Sequence, residues 1–141
     1  MLSHKHQLGI YPGDIGTCEI IEEQNFFKGT IIIGLGSPGK LTPHLLSQSV
    51  ELSITNHLLN LSNNSKEIKS YGISPLMIAS GYGGLDIESS IKAIIEGINN
   101  ANKNCIDLRK ENYCYISHIE FIELYESNAI SGLFAIKKII D

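Results

Sequence analysis

Residues 29–39 carry the sequence Gly-Thr-Ile-Ile-Ile-Gly-Leu-Gly-Ser-Pro-Gly, a short apolar segment that runs into a glycine-rich loop. A second segment of this kind begins at Pro75 and runs into Gly81-Tyr82-Gly83-Gly84. Helical periodicity follows each of the two loops. Two strand-loop-helix units in one chain predict a parallel sheet whose strands end at a shared crevice lined by backbone. We expect the functional site in that crevice.

The composition limits the classes of protein to which this crevice can belong. A chain of 141 residues is about one domain, and 43% hydrophobic with 18% charged residues is typical of a globular protein. The formal net charge of -4 argues against sequence-independent binding of nucleic acid. Backbone amides can still bind a small anion. Without a run of roughly 18 apolar residues we expect a cytoplasmic protein, without a membrane span, that forms a single domain over residues 1–141.

The cysteines and the N-terminal histidines predict no metal site. Cys18, Cys105 and Cys114 are odd in number and lack CxxC spacing, so we interpret them as free thiols. His4 and His6 lie two residues apart near a chain end, where their spacing is more often incidental than functional. We therefore predict no metal and no cofactor.

Short apolar segments predict the strands. Residues 8–10 and Cys18–Ile21 flank a turn and are candidates for a hairpin. Thr30–Ile33 has no polar alternation, which indicates a strand covered on both faces in a parallel sheet. Further strands are predicted over residues 75–79 and 115–124.

Capping residues and apolar periodicity predict three helices. The first begins with Thr42 as N-cap and Pro43 at the first helical position, and it ends at residues 63–65. Its apolar face comprises Leu45, Leu46, Val50, Ile54, Leu58 and Leu61. The second has Asp86 as N-cap and ends within residues 99–104, with a buried stripe of Ile87, Ile91, Ile94, Ile95 and Ile98. The last helix is capped by Ser127 or Asn128.

The parallel connectivity would bring the loops after Ile33, Ala79 and Leu124 to one edge of the sheet. Glycines there let successive amides converge on a phosphate or carboxylate, and the following helix N-terminus favours the same anion. A tyrosine ring can stack on a base. Against the second loop stand Asp86 and Glu88, whose carboxylates would repel an anion. The predicted ligand-binding residues are Gly34, Leu35, Gly36, Ser37, Gly39, His44, Ser80, Gly81, Tyr82, Gly83, Gly84 and Tyr125.

Two other interpretations of these residues stay open. The glycines can serve only to shape tight strand-to-helix turns, with no ligand. A catalytic site would need a nucleophile and a positioned base, yet the three cysteines lie outside the glycine loops and His118 lies within a predicted strand. Glu123 and Glu126 are the nearest candidates for an acid–base pair, but solvated charges are their commoner role. We predict no catalytic residue.

The order of motifs also resembles known domains. Residues 78–88 are similar to the second phosphate-binding loop of macro domains, with Gly81 and Gly84 at the matching spacing, although the family serine falls at Ala79. Residues 33–42, the glycines 81–84 and residues 121–126 are similar to the macro-like module beside caspase-like CHAT peptidase domains in large bacterial proteins. The Gly34-Leu35-Gly36 and Leu41-Thr42 features also resemble the N-terminal, non-catalytic domain of leucyl aminopeptidases. The resemblance extends from about Gly13 to the end of the chain.

The resemblance implies a three-layer macro-like α/β fold with a mixed, mostly parallel sheet flanked by helices. It further implies a non-catalytic sensor or regulatory module, cut from a longer protein, that binds a small phosphorylated, nucleotide-derived ligand similar to ADP-ribose. Such a module would control an attached or neighbouring effector, such as a CHAT peptidase. The alternative is a structural or oligomerisation module without a ligand, and self-association is a further expectation. A hydrolase that removes ADP-ribose is a weaker option, because no base can be named.

Overall fold

The computed structural model describes residues 12–26, 28–78 and 84–141, which form a mixed α/β structure. The described strands make two separate two-stranded sheets, one antiparallel and one parallel. The three-layer arrangement implied by the resemblance therefore remains a prediction. In chain order the elements are β1 (Cys18–Ile21), β2 (Thr30–Ile33), α1 (Pro43–Asn63), β3 (Lys69–Ile73), α2 (Ile87–Arg109), β4 (Cys114–Ile119) and α3 (Glu126–Ile140).

Strand β2 is present where the sequence predicts it, but its expected parallel pairing is wrong. It pairs antiparallel with β1, with Cys18 opposite Ile33 and Ile21 opposite Thr30. Residues 22–29 are too few for a parallel crossover, which needs a dozen or more residues. The side chains of β2 are also only half-buried, so the isoleucine run does not mark a strand covered on both faces. The predicted hairpin partner of β1, residues 8–10, lies outside the described residues.

Strands β3 and β4 form the parallel unit that the strand-helix-strand order predicts, with α2 between them in the chain. The positions of both strands were predicted wrongly: the strand expected over residues 75–79 lies instead at Lys69–Ile73, and β4 covers Cys114–Ile119 instead of residues 115–124. Beyond Ile73, among residues 74–78, the ladder continues as an isolated bridge between Leu76 and Ile122. Pro75 has no N–H to donate, which explains why the regular ladder is interrupted after Ile73.

The outer edge of β4 is occupied by side chains of the helices. Ser62 in α1 accepts a hydrogen bond from the Cys114 amide at 2.9 Å. Asn102 in α2 makes two bonds to one residue, because its amide donates to the Ile116 carbonyl at 2.8 Å and its oxygen accepts from the Ile116 amide at 2.7 Å. These backbone groups would otherwise pair with a further strand. Their capping gives a physical reason why β2 does not join the parallel sheet.

The first predicted helix is confirmed in both its ends and its buried face. Thr42 is the N-cap, and its hydroxyl accepts from the Leu45 amide at 3.2 Å. Pro43 occupies the first turn, and Asn64 is the C-cap. The large apolar side chains of the predicted stripe are buried or partly buried in the main core. Sequence periodicity was sufficient here because one face of α1 supplies much of the core.

Helix α2 begins as predicted but ends later, at Arg109. Its N-cap is Asp86, whose carboxylate accepts from the Ser89 amide at 2.8 Å. The prediction that asparagines end the helix is wrong, since these residues tie α2 to its neighbours. Asn100 and Asn104 both donate to the Glu51 carboxylate of α1, at 3.1 and 2.9 Å.

Helix α3 begins at Glu126, so the predicted caps Ser127 and Asn128 are wrong. The N-cap is Tyr125, which makes no capping bond through its side chain. Instead the Glu123 carboxylate accepts from the amides of Leu124 and Tyr125, at 2.7 and 2.9 Å. A carboxylate just before the helix therefore satisfies amides at this end.

Candidate functional site

The first half of the 34–39 loop is hydrogen-bonded to the turn that precedes β1. The Gly34 amide donates to the Thr17 carbonyl, and the Gly36 amide donates to the Gly13 carbonyl, both at 2.8 Å. These amides are consequently engaged by the turn that precedes β1. Two of the predicted ligand-binding glycines thus have a structural role that needs no ligand.

The same contact explains why residue 34 is glycine. A Cβ placed there would lie 2.2 Å from the Asp14 carbonyl oxygen and 2.4 Å from the Thr17 hydroxyl oxygen. A Cβ at Gly36, whose φ is +73°, would lie 2.6 Å from the Ile15 side chain. Close backbone approach therefore requires glycine at position 34, and the positive φ together with the Ile15 side chain favours glycine at position 36. Leu35, between them, packs against the main core.

The second half of this loop, Ser37 to Gly39, is exposed. Gly39 has a φ of +79° and open space around its Cβ position, and the Lys40 amide closes a turn on the Ser37 carbonyl at 3.2 Å. Within the described part of the chain, the amides of Leu35, Ser37 and Gly39 have no hydrogen-bond partner. These three amides are the groups of the loop that remain for a ligand.

The N-terminus of α1 follows directly and carries no acidic side chain in its first turn. His44 lies in that turn and is exposed. The helix dipole thus favours an anion here without competition from a local carboxylate. Of the two predicted loops, this one has the more suitable electrostatics for a phosphate.

The second predicted loop is described only at its end. Ser80, Gly81, Tyr82 and Gly83 lie outside the described residues. Gly84 is exposed and has a φ of +72°, a backbone conformation that favours glycine. Two hydrogen bonds from Ser89 lower the pKa of the Asp86 carboxyl, the one from the hydroxyl more than the one from the amide.

Two carboxylates therefore lie at the α2 N-terminus. Glu88 pairs with Lys138 of α3 at 2.8 Å, which offsets part of its charge, whereas the lowered pKa of Asp86 keeps that carboxyl ionised. The expected repulsion of an anion at this helix end is thus reduced but not removed.

The residues that follow the two loops lie in the same core, although β2 and β3 belong to different sheets. Leu41 and Leu85, which directly follow the two loops, are both buried in the main core cluster. Tyr125 lies at the start of α3 with 64% of its surface exposed. The expectation that all three loops share one sheet edge is wrong for the first loop, since β2 belongs to a different sheet from β3 and β4.

The nucleophilic and titratable groups elsewhere have structural surroundings. Cys105 and Cys114 are fully buried, and burial raises the pKa of the Cys105 thiol, which disfavours the reactive thiolate. His57 on α1 is half-buried, and loss of solvation lowers its pKa. His118 is exposed on β4.

An open groove of about 340 Å³ runs beside α1 and α2, lined by Gln48, Glu51, Leu52, Thr55 and Asn104. It includes none of the predicted ligand-binding residues. Across residues 12–26, 28–78 and 84–141, no group of three or more metal-ligating side chains is present. None of the helices in those ranges combines the length and hydropathy needed to cross a membrane.

Sequence reasoning missed one surface. Helix α3 buries its small residues Gly132 and Ala135, while four of its large apolar residues face solvent. The exposed fractions are 49% for Ile130, 54% for Leu133, 62% for Phe134 and 76% for Ile140. The spacing of these residues by three, four and seven positions indicates an apolar helix face in the sequence. It does not indicate whether that face is buried or exposed.

No protein-family model matches the sequence, and no curated protein is significantly similar to it.

Proposed function

We propose that this chain is a non-catalytic, macro-like sensor module that binds a small phosphorylated, nucleotide-derived ligand. The ligand class is that implied by the sequence resemblance, with ADP-ribose as its representative. Occupancy would be passed to an attached or neighbouring effector, for which a CHAT-type peptidase is the candidate.

The observation that supports the proposal most is the exposed segment Ser37 to Gly39. Its amides have no partner among the described residues, and it leads directly into a helix N-terminus free of acidic side chains. Backbone amides beside a helix N-terminus bind phosphate without side-chain charge, which is compatible with a formal net charge of -4. The exposed His44 adds a group that can donate to an anion.

The test is thermal unfolding of the chain with ADP-ribose, ADP and inorganic phosphate as probes. Ligand at about ten times its Kd stabilises the folded state by about 1.4 kcal/mol, which raises the Tm of a domain of this size by about 5 °C. Ser37→Glu should abolish the shift, because it places a carboxylate where the phosphate would bind. Ser127→Glu, with the same charge change on the exposed first turn of α3, should leave it intact.

Absence of any shift at millimolar probe would contradict the proposed ligand class. Equal loss of the shift in both variants would show that net charge, and not the 37–39 segment, controls binding. Far-UV circular dichroism of both variants establishes that they remain folded.

The second candidate is a structural module without a ligand, and the bonds of Gly34 and Gly36 favour it. Those bonds and the close backbone contact account for two loop glycines without any small molecule. A ligand that shifts the Tm through Ser37 would argue against this candidate.

A further inference from the structure

The solvent-facing stripe of α3 is an unusual surface for a helix of this kind. Ile130, Leu133, Phe134 and Ile140 recur along one face, and each is about half exposed or more. The opposite face packs through Gly132 and Ala135, where a Cβ on Gly132 would lie 2.6 Å from the Met77 sulfur. The small residues therefore fit α3 closely to the protein and direct the large ones outward. Contiguous exposed apolar surface of this kind marks an interaction site.

The charges at the two ends of the stripe indicate what covers it. Glu126 lies at the N-terminal end and Lys137 lies near the C-terminal end, on the same face as the apolar residues. Both are exposed, and neither forms an ion pair with any residue in the described ranges. Lys138, by contrast, is already paired with Glu88. A partner should therefore offer a cation opposite Glu126 and an anion opposite Lys137.

A second copy of α3 in antiparallel orientation meets this requirement. A two-fold axis halfway between Glu126 and Lys137 brings each of these residues opposite the other in the partner copy. The same axis sets Ile130 opposite Leu133. Self-complementarity of this type is the defining property of a two-fold symmetric interface. We propose that the chain forms a homodimer through antiparallel packing of α3 against α3.

The size of the stripe predicts a weak dimer. A helix of 15 residues is about 22 Å long and, with side chains, about 10 Å wide. Its footprint is well below the roughly 800 Å² that each partner buries in an interface of standard size. We therefore expect dimerisation to depend on concentration, whether or not the glycine loops bind a ligand.

Sedimentation velocity of the full chain, from about 5 μM to about 1 mM, tests the proposal against the affinity range of weak interfaces. The wild type should shift from monomer to dimer over this range. Leu133→Glu should weaken association by about 100-fold or more, because it buries a charge at the centre of the interface. Leu108→Glu is the control, since Leu108 is an exposed apolar residue of α2.

The charge pair supplies a second test that does not disturb the apolar stripe. Glu126→Lys alone and Lys137→Glu alone should each weaken the dimer by about 2- to 10-fold, since two exposed ion pairs are lost. The double variant should restore the wild-type affinity. A wild type that remains monomeric throughout would overturn the proposal, as would equal effects of Leu133→Glu and Leu108→Glu. Failure of the double variant to recover would overturn the antiparallel arrangement.

Discussion

Substitution of Gly34 by alanine tests whether the first glycine loop is held by the chain itself. Its Cβ would lie 2.2 Å from the Asp14 carbonyl oxygen, so the 13–17 turn must move away from β2. Overpacking of this kind costs about 1–3 kcal/mol. The movement also weakens the bonds from the amides of Gly34 and Gly36, each worth about 0.5–1.5 kcal/mol.

The expected net effect follows from these contributions. Alanine restricts the unfolded chain more than glycine does, and this stabilises the folded state by about 0.4–1 kcal/mol. We therefore expect Gly34→Ala to lower the free energy of unfolding by about 2–4 kcal/mol. For a chain of this length the Tm should fall by roughly 6–13 °C.

The assay is urea unfolding followed by far-UV circular dichroism, because the chain contains no tryptophan. Gly13→Ala is the matched control, since Gly13 lies in the same contact but has open space at its Cβ position. The control should unfold within about 0.5 kcal/mol of wild type or be slightly more stable. Wild-type stability of Gly34→Ala, or equal losses in both variants, would refute the described packing of the loop.

Three further changes test other parts of the structure. Asn102→Ala leaves both the N–H and the carbonyl of the buried Ile116 unpaired, so we expect the free energy of unfolding in urea to fall by about 1–3 kcal/mol. The control Asn99→Ala, at an exposed position, should lower it by less than about 0.5 kcal/mol. Equal effects would contradict the capping of β4 by Asn102. Thr42→Ala removes the α1 N-cap and should cost about 1 kcal/mol, which Thr42→Ser should largely recover. Burial lowers the pKa of His57 below 6.5, so its contribution is fully present above pH 6.5 and is lost as pH falls through that value toward the folded pKa. His57→Gln should flatten the decline in stability over this pH range, and an unchanged pH profile would contradict the assignment.

The helices were predictable from the sequence because their signals are local. Thr42 and Asp86 each precede an apolar stripe, and both prove to be N-caps. The pairing of the strands was not predictable in the same way. The isoleucines of β2 favour a strand but carry no information on its partner. The 22–29 connection is too short for a parallel crossover, so β2 pairs antiparallel with β1.

The candidate site shows the same division between local and long-range information. Glycine spacing identified a loop that does precede a helix N-terminus. It could not reveal that Gly34 and Gly36 bond to the 13–17 turn, because that contact depends on the tertiary structure. Likewise, the asparagines of α2 are typical helix terminators in a sequence, yet Asn100 and Asn104 continue the helix because Glu51 accepts their amide hydrogens.

The capping of β4 by Ser62 and Asn102 closes this edge of the parallel sheet to a further strand. At this edge the polar side chains make the backbone bonds that a neighbouring strand would otherwise make. A strand edge with unpaired backbone groups is where other molecules can join by backbone pairing and aggregate. The helices of this chain thus protect the β4 edge of the parallel sheet against amyloid-like assembly, as well as packing the core.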